Sequence, residues 1–373
     1  MDKKLLIYQV FVRNFSKEGN FKNVIEKLDY IESLGTDILC LMPISPIGEK
    51  ERKGTYGSPY AIKNYIDVSS DLGTFQDFED LVNDTHKHGM KLILDMVFHH
   101  TSPDNPLLIN RPEFYYYKNG KPGNRVGDWS DIIDLNTDRE DCQDYLLSVL
   151  QFWVNKGVDG FRFDVASMIA LSFFKKARKV LGKDIIFYAE SIDWDFAKYL
   201  KETDHPSTPD DDMYPTFDYL YNYNYFRVLE RQIAEGGHAY EIAEIINHDL
   251  SLRPINVRVH CLENHDVPRF ASRVQDFEKQ KEWIDFTCSL YGHIFLYMGQ
   301  ENGCSKDVPL FEKEAVDWDT INEPLKAYYL TRILEAKSEK PITSQHLDAV
   351  DPNTIRLETT FEDGEVKIKT FHL

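Results

Sequence analysis

Short apolar runs rich in β-forming residues recur eight times along the chain, at 5–12, 38–44, 91–98, 160–166, 185–191, 213–219, 256–263 and 293–299. Several are almost continuously hydrophobic, as strands buried on both faces are. Helical patterns separate them. Phe21, Val24, Ile25, Leu28 and Ile31 keep three-four spacing up to Gly35, and Thr74 to Asp77 reads as the capped start of a helix that stops at Gly89. Further helical windows fall at 142–156, 172–181, 193–201, 221–248, 278–290 and 323–336. Eight strands alternating with eight helices require a parallel sheet, and the count favours an α/β fold closed into a TIM (β/α)8 barrel over an open doubly wound sheet. A length of 373 residues accommodates such a barrel with insertions.

Two segments depart from the alternation. Residues 101–136, after the third strand, are too many for an ordinary βα loop and contain Pro103, Pro106, Pro112, Gly120, Pro122, Gly123 and Gly127. Loops of that length are usually functional, and this one starts on the face of a barrel that carries active sites. At the other end, 354–360 and 365–372 flank Glu362-Asp363-Gly364 as a β-hairpin. The expected organisation is a catalytic barrel from 1–100 and 137–340, a short inserted domain at 101–136, and a truncated C-terminal β region at 341–373.

Composition narrows the partners. A net charge of −19 with no Lys/Arg block repels a phosphate backbone, so no nucleic-acid partner is expected. No run approaches the ~20 apolar residues of a membrane-spanning helix. The basic-then-apolar start, Met1 to Val12, is interrupted by Gln9, ends at Arg13 and lacks a small-residue cleavage site, so it reads as a first strand rather than a signal peptide. Five cysteines (Cys40, Cys142, Cys261, Cys288, Cys304), odd in number and without a CxxC pair, fit reduced thiols and a cytoplasmic location.

The chemistry lies in acidic residues at strand ends. Asp95, Asp164 and Glu190 close the third, fourth and fifth apolar runs, and Asp266 follows the seventh. In a barrel these positions face the active site. A carboxylate in an apolar run costs several kcal/mol unless it is paired or opens onto a cleft. One such residue could be a structural ion pair; four at equivalent positions point to a site. Arg162, two residues before Asp164, projects to the same side of its strand and would hold that carboxylate ionised. Glu190 follows Phe187-Tyr188-Ala189, surroundings expected to raise its pKa toward that of a general acid. Two carboxylates in different protonation states are the minimum apparatus for glycoside cleavage.

Six motifs then resemble the α-amylase family, glycoside hydrolase family 13, in that family's order. They are Asp95-Met96-Val97-Phe98-His99-His100, Ile133-Asp134-Leu135-Asn136, Gly160-Phe161-Arg162-Phe163-Asp164, Ala189-Glu190, Glu263-Asn264-His265-Asp266 and Phe295-Leu296-Tyr297-Met298-Gly299-Gln300-Glu301. The resemblance implies that Asp164 is the nucleophile, Glu190 the general acid and then base, and Asp266 a third carboxylate on sugar hydroxyls. It further implies that Arg162 orients Asp164, that Asp95 supports Arg162, that His100 and His265 bind hydroxyls, and that Tyr60 stacks on the ring being cleaved. The expected reaction is retaining hydrolysis of α-glucosidic bonds in maltodextrins or other α-gluco-oligosaccharides. A 4-α-glucanotransferase-like transfer by the same carboxylates is the alternative.

Departures from the family pattern shape the remaining expectations. Histidine stands at position 99 where many members carry a calcium-binding asparagine, and calcium prefers oxygen ligands, so no cofactor and no calcium dependence are expected. Val165-Ala166-Ser167-Met168 replaces the Lys-His pair that typical α-amylases carry after the nucleophile. A short-chain substrate therefore fits better than starch. Two rivals belong to other classes: a metal-dependent hydrolase using His99, His100, Asp95 and Asp266, and a catalytically silent sugar-binding protein. The first lacks ligand spacing that directs side chains together, because adjacent residues of a strand face opposite ways. The second should have lost one of Asp164, Glu190 and Asp266. Asp210-Asp211-Asp212 reads as a solvated loop, Tyr214 to Tyr225 as a source of groove aromatics of which about half pack elsewhere because alternate positions face apart, and Gly127-Asp128-Trp129-Ser130 as a stretch that either closes the cleft or anchors its loop.

Overall fold

In a computed structural model, residues 3–126, 129–203, 205, 207–252 and 257–373 are described. Met1, Asp2, Gly127, Asp128 and Asn256, which the sequence reading touches, lie outside them. The barrel strands are β1 (Leu6–Val10), β2 (Ile38–Leu41), β3 (Lys91–Met96), β4 (Gly160–Phe163), β5 (Ile186–Ala189), β6 (Tyr219–Tyr221), β7 (Arg258–His260) and β8 (His293–Tyr297). They close in sequence order, β1 pairing with β2 and β8, with every pairing parallel. This is the expected TIM barrel. β1, β2, β4, β5, β7 and β8 are buried along their whole length. At Gly160 a Cβ would sit 2.5 Å from the backbone oxygen of Ile186, so only glycine lets β4 and β5 approach at that register.

The long helices around the barrel are α1 (Phe75–Lys87), α2 (Glu140–Asn155), α3 (Leu171–Leu181), α4 (Trp194–Glu202), α5 (Tyr223–Glu235), α6 (Ala239–Ser251), α7 (Phe277–Ser289) and α8 (Glu323–Ser338). α1 begins in a capping box formed by Thr74 and Asp77, as the sequence indicates. Three expectations need correction. The sixth strand does not run over 213–219: Met213 ends a short helix (Asp210–Met213), and β6 starts at Tyr219. The helical window 221–248 is two helices, broken where Gly236 and Gly237 take positive φ (71° and 89°). The helical pattern from Phe21 to Ile31 is carried by two short helices, Phe21–Ile25 and Leu28–Ser33, rather than by one.

The insertion is built on small ladders: His100–Thr101 pairs with Ile133–Asp134, and Tyr117–Lys118 with Lys121–Pro122. At the C-terminus the expected hairpin, β10 (Thr354–Phe361) with β11 (Val366–His372), is joined by β9 (Ile342–Asp351) into a three-stranded antiparallel sheet. Polar residues interrupt the alternation in β9, which is why its sequence does not announce a strand. Among the described residues no helix is long and apolar enough to cross a membrane, and all five cysteines are free, four of them buried.

Candidate active site

At the C-terminal ends of the strands, the loops enclose a cavity of about 360 Å3 whose walls include Tyr60, His100, Asp164, Glu190, His265 and Asp266. Three carboxylates remote in the chain thus face one space. Arg162 and Asp95 lie beneath it with fully buried side chains. One nitrogen of Arg162, Nη1, donates to both oxygens of Asp95 (2.8 and 2.9 Å) and to Asp164 Oδ1 (3.1 Å). Its Nη2 stands 3.0 Å from Glu190 Oε2, an ion-pair contact without hydrogen-bond geometry. The arginine therefore serves Glu190 as well as Asp164, which its spacing from Asp164 alone did not indicate.

Glu190 is not surrounded by the apolar residues that precede it. Its Oε2 accepts the Val165 N–H at 2.7 Å, and its Oε1 accepts the Tyr223 hydroxyl at 3.1 Å. Val165 reaches Glu190 from a left-handed backbone conformation (φ 37°, ψ 46°). For a β-branched residue this conformation costs of order 1–3 kcal/mol, and such strain concentrates at functional sites. Burial and the neighbouring Glu190 carboxylate raise Asp164 well above the ordinary carboxylate range, against the opposing pull of Arg162. Arg162 thus offsets part of the cost of burying Asp164 without bringing it below the ordinary range, although its spacing in the sequence suggests that it would.

Tyr60 is tied into the same network. Its hydroxyl donates to Asp95 Oδ2 (3.0 Å) and lies 2.7 Å from His265 Nε2, while its ring stacks on His265 with centroids 5.3 Å apart. Burial lowers His265 to about 3, so the imidazole is neutral. Its Nδ1 lies 3.3 Å from the side-chain oxygen Oε1 of Gln9 on β1. Burial likewise lowers His100 to about 4. Asp266 is the most open member, its side chain 47% exposed, and its N–H donates to Asn264 Oδ1 at 2.9 Å. Glu263, in the same motif, is structural: it pairs with Arg269 at 2.6 Å inside the loop that carries His265 and Asp266.

The remaining expectations divide. Trp129 lines the cavity beside His100. Of Tyr214, Phe217, Tyr219, Tyr221, Tyr223 and Tyr225, only Tyr223 lines that cavity. Asp210 is no solvated loop residue: it pairs with Arg258 at 2.5 Å, while Asp211 and Asp212 are exposed. His99 and His100 do not point apart, because β3 has ended before them; their Nδ1 atoms are 3.1 Å apart and their rings nearly perpendicular. Lys53, Asp131, Phe196, Arg227 and Phe311 also line the cavity, unmarked by any motif.

At the segment around His99 a calcium ion would need carboxylate and carbonyl oxygens. Asp134, pushed up to about 6 by burial, accepts the Arg125 N–H at 2.8 Å and has the Arg125 guanidinium at 3.4 Å and His99 Nδ1 at 3.7 Å. Among the described residues, a carboxylate already beside a guanidinium and next to imidazole nitrogen does not suit an oxygen-seeking dication. The Asp29, Glu32 and His88 side chains converge closely enough to hold an ion, but they lie on the surface away from this cavity, and His88 is already bonded to Asp84 O and Asp29.

A closed parallel barrel with an arginine-braced carboxylate cluster at its C-terminal mouth is the architecture of (β/α)8-barrel enzymes that work through paired acids. The family described as alpha amylase, catalytic domain, matches residues 9–113 and 126–203. A crystal structure of an α-amylase from Lactobacillus plantarum is 32% identical, with 95% of this chain and 85% of that chain covered at a TM-score of 0.88. The chain belongs to the α-amylase family. It is also similar to a noncanonic maltogenic α-amylase from Thermotoga neapolitana (26% identical, 99% and 85% covered, TM-score 0.86). The match to an oligo-1,6-glucosidase of Parageobacillus thermoglucosidasius, 29% identical, covers 45% of this chain and 35% of that protein. The chain therefore spans little more than a third of that curated relative's length.

Proposed function

We propose that the protein is a retaining glycoside hydrolase acting on α-glucosidic bonds of maltodextrins and related α-gluco-oligosaccharides. The observation that carries this reading is the opening of Asp164, Glu190 and Asp266 onto one cavity above Arg162. In the first step Asp164 attacks the anomeric carbon, and the glycosidic C–O bond breaks as Glu190 delivers its proton to the departing oxygen. In the second, Glu190 takes a proton from water, whose oxygen displaces Asp164 and frees the sugar with its anomeric configuration retained. Asp266, His100 and His265 are placed to hydrogen-bond ring hydroxyls, and Tyr60 lines the ring's wall. All of these groups belong to the chain itself, and no resident metal or cofactor is part of the reading; action in the cytoplasm is part of it.

The names of the similar proteins support an α-glucoside substrate. The test is chromatography of products from maltose, maltotriose, isomaltose, panose, pullulan, trehalose and sucrose, run beside the Glu190→Gln protein. Release of shorter sugars by the parent and its loss in the variant are expected. Products longer than the starting sugar would assign the chain to glycosyl transfer, and no product from any of them would end the proposal.

A further inference from the structure

The cavity differs at its two ends. In the closed barrel β5 lies across from β1, which β2 and β8 flank. Glu190 follows β5, and the wall beyond it comes from Asp193, Phe196, Tyr223 and Arg227. The leaving sugar must lie on the side of the group that protonates it. The sugar attached to Asp164 therefore extends the opposite way, toward the loops that follow β2 and β8.

That end is barred. Lys53 Nζ, on the loop after β2, stands 2.9 Å from Asp131 Oδ1, on the insertion, and the Asp131 side chain is 7% exposed. Phe311, after β8, completes this wall, with Lys53 Nζ 5.9 Å from its ring centroid. The wall is anchored from below: Arg13 donates to the carbonyls of Gly57 (3.0 Å) and Leu310, and Tyr56 N–H donates to Phe311 O (3.0 Å). Threading a glucan past this point would separate the pair and leave a buried carboxylate without its cation.

We infer that the Lys53–Asp131 pair is a stop at the glycone end, offering ammonium donors and a carboxylate acceptor to the hydroxyls of a terminal, non-reducing sugar. Chains are then entered from that terminus and cut a short, fixed distance inward. This rests on the hydrolase reading above. The test compares maltoheptaose with a maltoheptaoside whose non-reducing end carries a 4,6-O-ethylidene block. A site that recognises those hydroxyls refuses the blocked sugar, so cleavage about 100-fold slower is expected. Lys53→Ala and Asp131→Asn should raise the blocked-to-free ratio about tenfold, while Lys53→Arg, which keeps the pair, leaves it low. Equal cleavage of both substrates by the parent overturns the stop and leaves the hydrolase reading standing. Cleavage of neither overturns both. A folded Lys53→Ala protein with an unchanged ratio overturns the assignment to this pair, and the parent's own comparison stands if no variant folds.

Discussion

Nη1 of Arg162 donates to both carboxylate oxygens of Asp95, at 2.8 and 2.9 Å, with both side chains sealed from solvent. Burial pushes Asp95 up to about 6 although the guanidinium beside it pulls the other way. Removing one partner of such a pair leaves the other charge buried. Asp95→Asn is therefore expected to cost about 3–5 kcal/mol of stability, measured by chemical denaturation. It should also reduce kcat, because the same guanidinium positions Asp164 and Glu190. A loss below about 1 kcal/mol, the range of an exposed pair, would contradict this role.

Asp164→Asn removes the attacking oxygen and keeps the shape of the side chain. Turnover should fall by more than about 1,000-fold while the fold, followed by circular dichroism, and oligosaccharide binding, followed by calorimetry, persist. Activity within about tenfold of the parent would show that Asp164 is not the nucleophile.

His260 offers a pH test away from the cavity. Its Nε2 contacts the Tyr291 carbonyl at 2.8 Å, and burial lowers its pKa to about 3 from the ordinary 6.5. Between these values the unfolded chain binds a proton that the folded chain refuses. The stability linked to this group is thus complete above about pH 6.5 and is lost as pH falls toward 3, by up to about 1.4 kcal/mol per pH unit. A His260→Gln variant should show a shallower acid loss than the parent between pH 6.5 and 4. Parallel curves for the two proteins would refute the assignment.

Arg125 beside Asp134 leads to an expectation for metals. Exhaustive chelation followed by added calcium should leave activity unchanged and shift Tm by less than about 2 °C, since a site that binds the native state at high occupancy adds several kcal/mol. A calcium-dependent rise in Tm that is lost on chelation and absent from an Asp134→Asn variant would show that Asp134 coordinates the ion in place of Arg125.

Much of the site was legible because its residues stand at the ends of strands whose hydrophobicity is local. Asp95, Asp164 and Glu190 mark the ends of β3, β4 and β5, and a barrel brings such positions to one face whatever the connections between them. The sequence places the sixth strand too early because Met213 and Tyr214 are as apolar as Tyr219 to Tyr221, and composition cannot tell a helical turn from the start of a strand. Tyr223 stood among six similar aromatics, and only packing shows that its hydroxyl reaches Glu190.

The amino-acid order alone determined the alternation of strands and helices, and with it the barrel and the acids at its mouth, since periodicity and strand ends are properties of neighbouring residues. Folding was needed to join Lys53 to Asp131, to seat His265 between Tyr60 and Gln9, and to put Arg162 within reach of three carboxylates at once. Those contacts link distant segments, and their strength depends on burial and on angstrom-scale geometry that no local pattern encodes.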